Sequence, residues 1–124
     1  MEEEAIAARL AEYRGTIAQW GEEMERIGER GAARRANALF DRTHAHFKVL
    51  RDSQEGRNGI ALLMRDPNPY VAAIAAGHSL LWAPEQATQT LEALQSSPDA
   101  PGPVRIDAEY TLKEWRAGSL YFDW

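Results

Sequence analysis

"LLMRDPNPYVAAIAAGHSLLWAPEQA", residues 62–87, sets an alanine-rich segment between two proline corners. Proline pushes the residue before it out of the helical region, so a helix stops at the first corner and another at Ala83. Asn68 suits the N-cap of the segment between them, and Pro69 suits its first helical position, where the missing N–H costs nothing. The spacing predicts a helix over 69–82 that buries Val71, Ile74, Ala75, Leu81 and Trp82. Its alanines and Gly77 admit a neighbouring helix at short range.

Downstream the same logic repeats. Pro84 opens a helix with Leu91 and Leu94 on its core side, and "SSPDAPGP", 96–103, reads as a loop because of its Pro and Gly content. A last helix is predicted over about 104–116, ended by Gly118 and followed by the tail "SLYFDW". A shift of 33 residues superimposes Val71 on Val104, Ala75 on Ala108 and Trp82 on Trp115, while a shift of 31 matches Ile60 with Leu91 and Leu63 with Leu94. Two helical hairpins in tandem follow. Repeats of this kind bury their apolar faces against one another and need atypical terminal units.

Upstream, Ile6, Leu10, Tyr13, Ile17, Trp20, Met24 and Ile27 recur at alternating steps of four and three, which marks one side of a long helix. Gly15 and Gly21 inside it leave open a bend or a break, each costing about 1 kcal/mol relative to alanine. Gly28 and Gly31 end it. A second helix over about 32–52 carries the stripe Ala36, Leu39, Phe40, Thr43, Phe47 and Leu50, and "SQEGRNG", 53–59, reads as its closing turn. A short helix at about 57–65 then bears Ile60, Leu62, Leu63 and Met64. The expected organisation is one all-α domain, 1–124, of about six helices: a capping pair (1–53), a first hairpin (57–83), a second hairpin (84–117) and a tail (118–124).

Composition bounds the partners. The chain has 124 residues, enough to bury roughly two thirds of its unfolded surface in one core. It contains no cysteine, so disulfides and thiolate metal sites are excluded. Three glutamates open the sequence where a secretory leader needs positive charge, and no apolar run approaches the ~20 residues of a membrane span. These features point to the cytoplasm, with no membrane partner. The net charge of −5 lies wholly in the second half: residues 1–65 hold 11 acidic and 11 basic side chains, residues 66–124 hold 8 and 3. A basic stretch, Arg34, Arg35, Arg42, Lys48, Arg51 and Arg57, offers an alternative nucleic-acid surface, which the overall charge opposes.

"LLMRDPNPYVAAIAAGHSLL" resembles a HEAT repeat, in which a leucine-ended first helix meets a D-x-[ND]-P turn and a second helix begins V-x-x-x-A. The likeness covers about 57–97 well and 84–117 more loosely. The family commonly places arginine after the valine; Arg105 keeps it after Val104, and Ala72 departs from it. The whole chain is also similar to a small bacterial family of HEAT-like single domains, through Ala36, Asn37 and Leu39 and through Pro84 to Ala87. The resemblance implies a short right-handed α-solenoid and no reaction.

Catalytic signals are sparse. Asp41 and His44 share a helix face and His46 lies nearby, but no H-E-x-x-H accompanies them, so neither a metal nor a cofactor is expected. His78 falls on the side of Val71, Ala75 and Trp82 and reads as a half-buried imidazole bonded to a carbonyl. No nucleophile elbow or phosphate loop occurs. If Val104, Ala108, Thr111, Leu112 and Trp115 face the core, then Ile106, Glu109, Tyr110, Lys113 and Arg116 face outward. Either Ile106 and Tyr110 stay exposed, or Tyr121, Phe122 and Trp124 fold back over them. The expectation is a non-catalytic protein-binding module, in the bacterial setting an immunity protein or antitoxin. Its contacts would be Ile106, Tyr110, Lys113 and the acidic Glu85, Glu92, Asp99, Asp107, Glu109 and Glu114, set against a toxin's basic surface. A small-molecule pocket between hairpins is a further alternative, and the heptad-like first helix leaves monomer and weak homodimer open.

Overall fold

The computed structural model describes residues 2–124 and is all-helical, with six α-helices and no strand among the described residues. The helices are α1 (Glu3–Glu25), α2 (Ala32–Leu50), α3 (Gln54–Leu62), α4 (Pro69–Ser79), α5 (Pro84–Ser96) and α6 (Gly102–Ala117). A 3-10 turn, Leu63–Arg65, extends α3. No helix is long and apolar enough to cross a membrane among the described residues.

Helix α1 runs unbroken through both internal glycines. Gly21 is there for space: a Cβ on it would sit 2.6 Å from the Tyr70 ring, which packs directly on the helix backbone. Gly28 and Gly31 then take positive φ, 106° and 83°, and turn the chain back. The return helix α2 is antiparallel to α1, as three cross-links show. Arg9 meets His46 at 3.3 Å, the Thr16 and Thr43 hydroxyls meet at 2.7 Å, and Arg35 donates to Glu23 at 2.6 Å. Ile27, expected on the buried stripe, is 53% exposed because α1 has already ended at Glu25.

Helix α3 starts earlier than its glycines suggest. Ser53 caps it by accepting from the Gly56 N–H at 3.0 Å, and the Leu50 backbone crosses so closely that Gly56 has no room for a Cβ. The corner that follows is tied to α1: Arg14 donates to both carboxylate oxygens of Asp66, at 2.7 and 3.0 Å, while Asp66 also accepts from the Asn68 N–H. Asn68 caps α4 through the Tyr70 N–H, as expected. The two guanidinium bonds hold the Asp66 carboxyl below its usual range.

Helix α4 is the centre of the molecule, in contact with α1, α3, α5 and α6. Val71 to Ala76 are all buried, so the helix is apolar all round, which is the pattern of a helix enclosed on every side. The alanines are the means of that enclosure. It ends at Ser79, three residues before the expected Trp82, because Pro84 forbids helical geometry at Ala83 and the turn before it tightens onto the Ser79 carbonyl. Leu81 is therefore 45% exposed rather than core. Trp82 lies in that turn whereas Trp115 lies inside α6, so the two tryptophans matched by the 33-residue shift stand in different local geometry.

Helix α6 begins at Gly102, inside the segment read as a loop. Pro103 occupies the first turn, where proline is tolerated, so the Pro and Gly content does not forbid a helix there. Gly118, with φ 75°, ends it. Both α5 and α6 lean on α4, and the tail 119–124 crosses from the end of α6 towards α2.

Candidate functional site

Where α2, α4 and α6 converge they leave a cleft of about 110 Å³, roofed by the tail. Phe40 and His44 reach it from α2, Ala73, Ile74, Gly77 and His78 from α4, and Asp107 and Thr111 from α6; Leu120, Tyr121, Phe122 and Trp124 close it. Helix geometry explains the gathering. Phe40 and His44, Ile74 and His78, and Asp107 and Thr111 are each four residues apart, one above the other on a single face.

The tail is held at its end. Trp124 lies flat over α2, its ring 3.6 Å from the His44 centroid and 5.5 Å from that of Phe40. Arg51 pairs with Asp123 at 2.8 Å, and Lys48 donates to the Trp124 carbonyl at 2.5 Å. Phe122 approaches Phe47 from above, at 6.3 Å between centroids. Tyr121 remains 61% exposed.

Below the roof, His78 stacks on Phe47 at 4.0 Å and meets the Tyr13 hydroxyl through Nδ1 at 2.6 Å. Burial raises the Tyr13 phenol well above its ordinary value, so Tyr13 keeps its proton. The contact is a hydrogen bond between a neutral phenol and an imidazole, both of which can donate or accept. Burial, reinforced by the neighbouring His44 and Arg51, takes His78 from 6.5 down to about 3. The expected carbonyl partner is thus replaced by a tyrosine from the first helix.

His44 and Asp107 are a different case. His44 is buried and its Nε2 finds no hydrogen-bond partner among the described residues. Burial lowers its pKa, reinforced by Lys48 and Arg51 and opposed by the Trp124 carbonyl and Asp123, so it too is neutral. Asp107 has no compensating partner, and burial alone pushes its carboxyl up to about 6.

The residues singled out from sequence are dispersed. Ile106 and Tyr110 are 68% and 60% exposed, one turn apart on the outer side of α6, with Glu109 and Lys113 exposed beside them. The tail does not cover them; it turns to the opposite side of α6. Glu85 and Asp99 are exposed, and Glu92 is exposed within 3.7 Å of Arg116. Glu114 accepts the Ser119 hydroxyl at the root of the tail. Asp107, expected on the same acidic outer wall, lines the cleft instead, because it shares a face with Thr111 and Val104 rather than with Ile106 and Glu109.

The basic stretch is largely spent inside the molecule. Arg35 serves Glu23, Arg57 caps the Arg51 carbonyl at 2.6 Å, and Lys48 and Arg51 hold the tail, leaving Arg34 and Arg42 exposed. Of the suspected metal cluster, Asp41 is exposed and His46 faces α1, and no group of three or more possible ligands gathers among the described residues. The tail's docking on α2 and the Tyr13–His78 pair were not read from sequence. The one signal for the former is the run Lys48, Arg51 on the face of His44, opposite in charge to Asp123.

Compared with protein-family models, curated proteins and solved structures, the chain matches none.

Proposed function

We propose that this chain is a non-catalytic protein-binding module of HEAT-like hairpins, working in the cytoplasm as an immunity protein that silences a toxin by direct contact, with the outer side of α6 as the contact face. One observation carries the reading: Ile106 and Tyr110, 68% and 60% exposed, stand together on a well-formed helix while the aromatic tail lies against α2. An aliphatic and an aromatic anchor rimmed by charge is the usual make-up of an interface centre. Glu85, Glu92, Asp99 and Glu109 extend the rim with negative charge, which speeds encounter with a basic partner.

The test is mixing with the product of the adjacent gene. Binding with loss of that product's toxicity is the expected result, and the double variant Ile106→Asp, Tyr110→Ala lowers the affinity by roughly a hundredfold without changing the melting temperature. A neighbour that is neither bound nor inhibited, or an affinity indifferent to the double substitution, overturns the reading.

A further inference from the structure

We propose that the surface of α2 and α4 beneath residues 120–124 is a docking groove for a peptide segment of another protein, one that carries an acidic residue between two aromatic residues, and that the chain's own tail holds this groove closed until such a segment displaces it. The groove is separate from the outer side of α6, so either reading can fail without the other.

The tail is attached as a ligand is, not as an element of the core. Among the described residues no main-chain hydrogen bond ties 120–124 to the helices; the last one, from the Ser119 N–H to the Glu114 carbonyl, closes the end of α6. Beyond it the hold is made by side chains: the Trp124 ring on His44, Asp123 on Arg51, and the Lys48 ammonium on the Trp124 carbonyl. The Asp123 side chain is 69% exposed, and ion pairs so open to water contribute little. Trp124 itself is 48% exposed. The fit is also incomplete. The tail spans the cleft without filling it, leaving about 110 Å³ over Ala73, Ile74 and Gly77 of α4, and Phe122 stays 6.3 Å from Phe47 between centroids. A segment with more apolar bulk at this place gains contacts that the tail forgoes.

The present occupant shows what chemistry the groove takes. Phe40, His44 and Phe47 follow one another on a single face of α2 and meet Trp124 and Phe122. Arg51 stands 5.3 Å over the Phe47 ring at the end of this row, with Lys48 beside it. Aromatic side chains therefore suit the row and a carboxylate suits its end. Among the described residues, Asp123 is the one acidic side chain that pairs with either cation, so the positive end of the groove is complemented by the tail and not by the helices. A tethered segment competes at an effective concentration on the order of millimolar. The tail thus excludes weak ligands and yields to a segment that keeps its charge pattern and fills the remaining space.

The test adds a synthetic peptide of residues 119–124, capped at both ends, to two full-length proteins, the parent and the variant Phe122→Ala, Trp124→Ala, followed by amide NMR at pH 7.5. The variant, whose tail has lost its ring contacts, is expected to bind the peptide saturably with shifts at His44, Ile74 and Gly77, and the parent to bind it at least roughly tenfold more weakly because its own tail competes. A peptide carrying Asp123→Lys binds the opened chain roughly tenfold more weakly than the native peptide, and adding Arg51→Glu to that chain reverses the preference. The full-length variant Asp123→Lys, which keeps every ring of the tail and replaces the ion pair by repulsion, gives an affinity between the two and carries the test if the double variant does not fold. No saturable binding, shifts away from the groove, equal affinity of the parent and the opened chain, or indifference to the charge of the peptide each overturns the proposal.

Discussion

Two polar centres border the same cleft and differ in one respect. In the first, His78 and Tyr13 satisfy each other at 2.6 Å. In the second, His44 Nε2 is buried without a partner, and the half-buried Asp107 gains no stabilising neighbour among the described residues. The first arrangement is structural: a hydrogen bond that fixes the register of α1 on α4. The second carries desolvation without compensation, which folding alone gives no reason to keep. Burial of a titratable group is thus a different signal depending on whether its partner is in the chain.

Titration separates the two most sharply, because they respond to pH with opposite sign. The folded pKa of His78 is depressed, so its contribution is complete above 6.5 and is lost as pH falls towards about 3. Across that window it withdraws roughly 4 kcal/mol of stability, the largest effect expected here. Denaturant unfolding at a series of pH values should show this slope, and His78→Gln should flatten it whatever its own offset. An unchanged slope in that variant would break the assignment.

Asp107 works the other way. Its folded pKa is raised, so its cost is absent at low pH, grows above the ordinary carboxylate value of 3.8 and is complete above about 6. Asp107→Asn should therefore raise stability by about 2 kcal/mol at pH 7.5, after allowing for the water that reaches a half-buried group, and by almost nothing at pH 3.5. Between pH 4 and 6 the two centres largely cancel in the native chain, and the asparagine variant should unmask the acid sensitivity of His78. A variant less stable than the parent at pH 7.5 would show that Asp107 has a partner after all.

The smallest effect sharpens the structural side. Tyr13→Phe removes the hydroxyl partner and leaves His78 Nδ1 unpaired, with an expected loss of about 1.5 kcal/mol measured by thermal or urea unfolding. The same substitution raises the His78 pKa little, since burial is the main cause of its depression. A loss near zero would mean that water replaces the phenol.

Legibility followed the range of the interaction. The alternating spacing from Ile6 to Met24, the Asn68–Pro69 start of α4 and the Gly118 stop are local codes, and each appears in the structure where the chain places it. The errors are local conflicts resolved by geometry: Ser53 capping wins over the glycines of 53–59, Pro103 is harmless in a first turn, and Pro84 shortens α4. Of the candidate surface, Ile106, Glu109, Tyr110 and Lys113 were placed outward correctly from the wheel of α6 alone. Asp107 was misplaced because charge was counted along the chain and not by face.

What this sequence determined by itself is an all-helical chain of six helices, their approximate limits and the outward side of α6, because helix periodicity, capping and proline sterics act within a few residues. Only the tertiary structure decided that α4 is enclosed on every side, that Tyr13 meets His78 across 65 positions, and that the tail crosses to α2. Those outcomes depend on which faces meet at short range, and neither spacing nor composition encodes that distance. Asp107 belongs to the second group: a carboxylate becomes unusual only when the fold takes away part of its water and brings no charge to offset the loss.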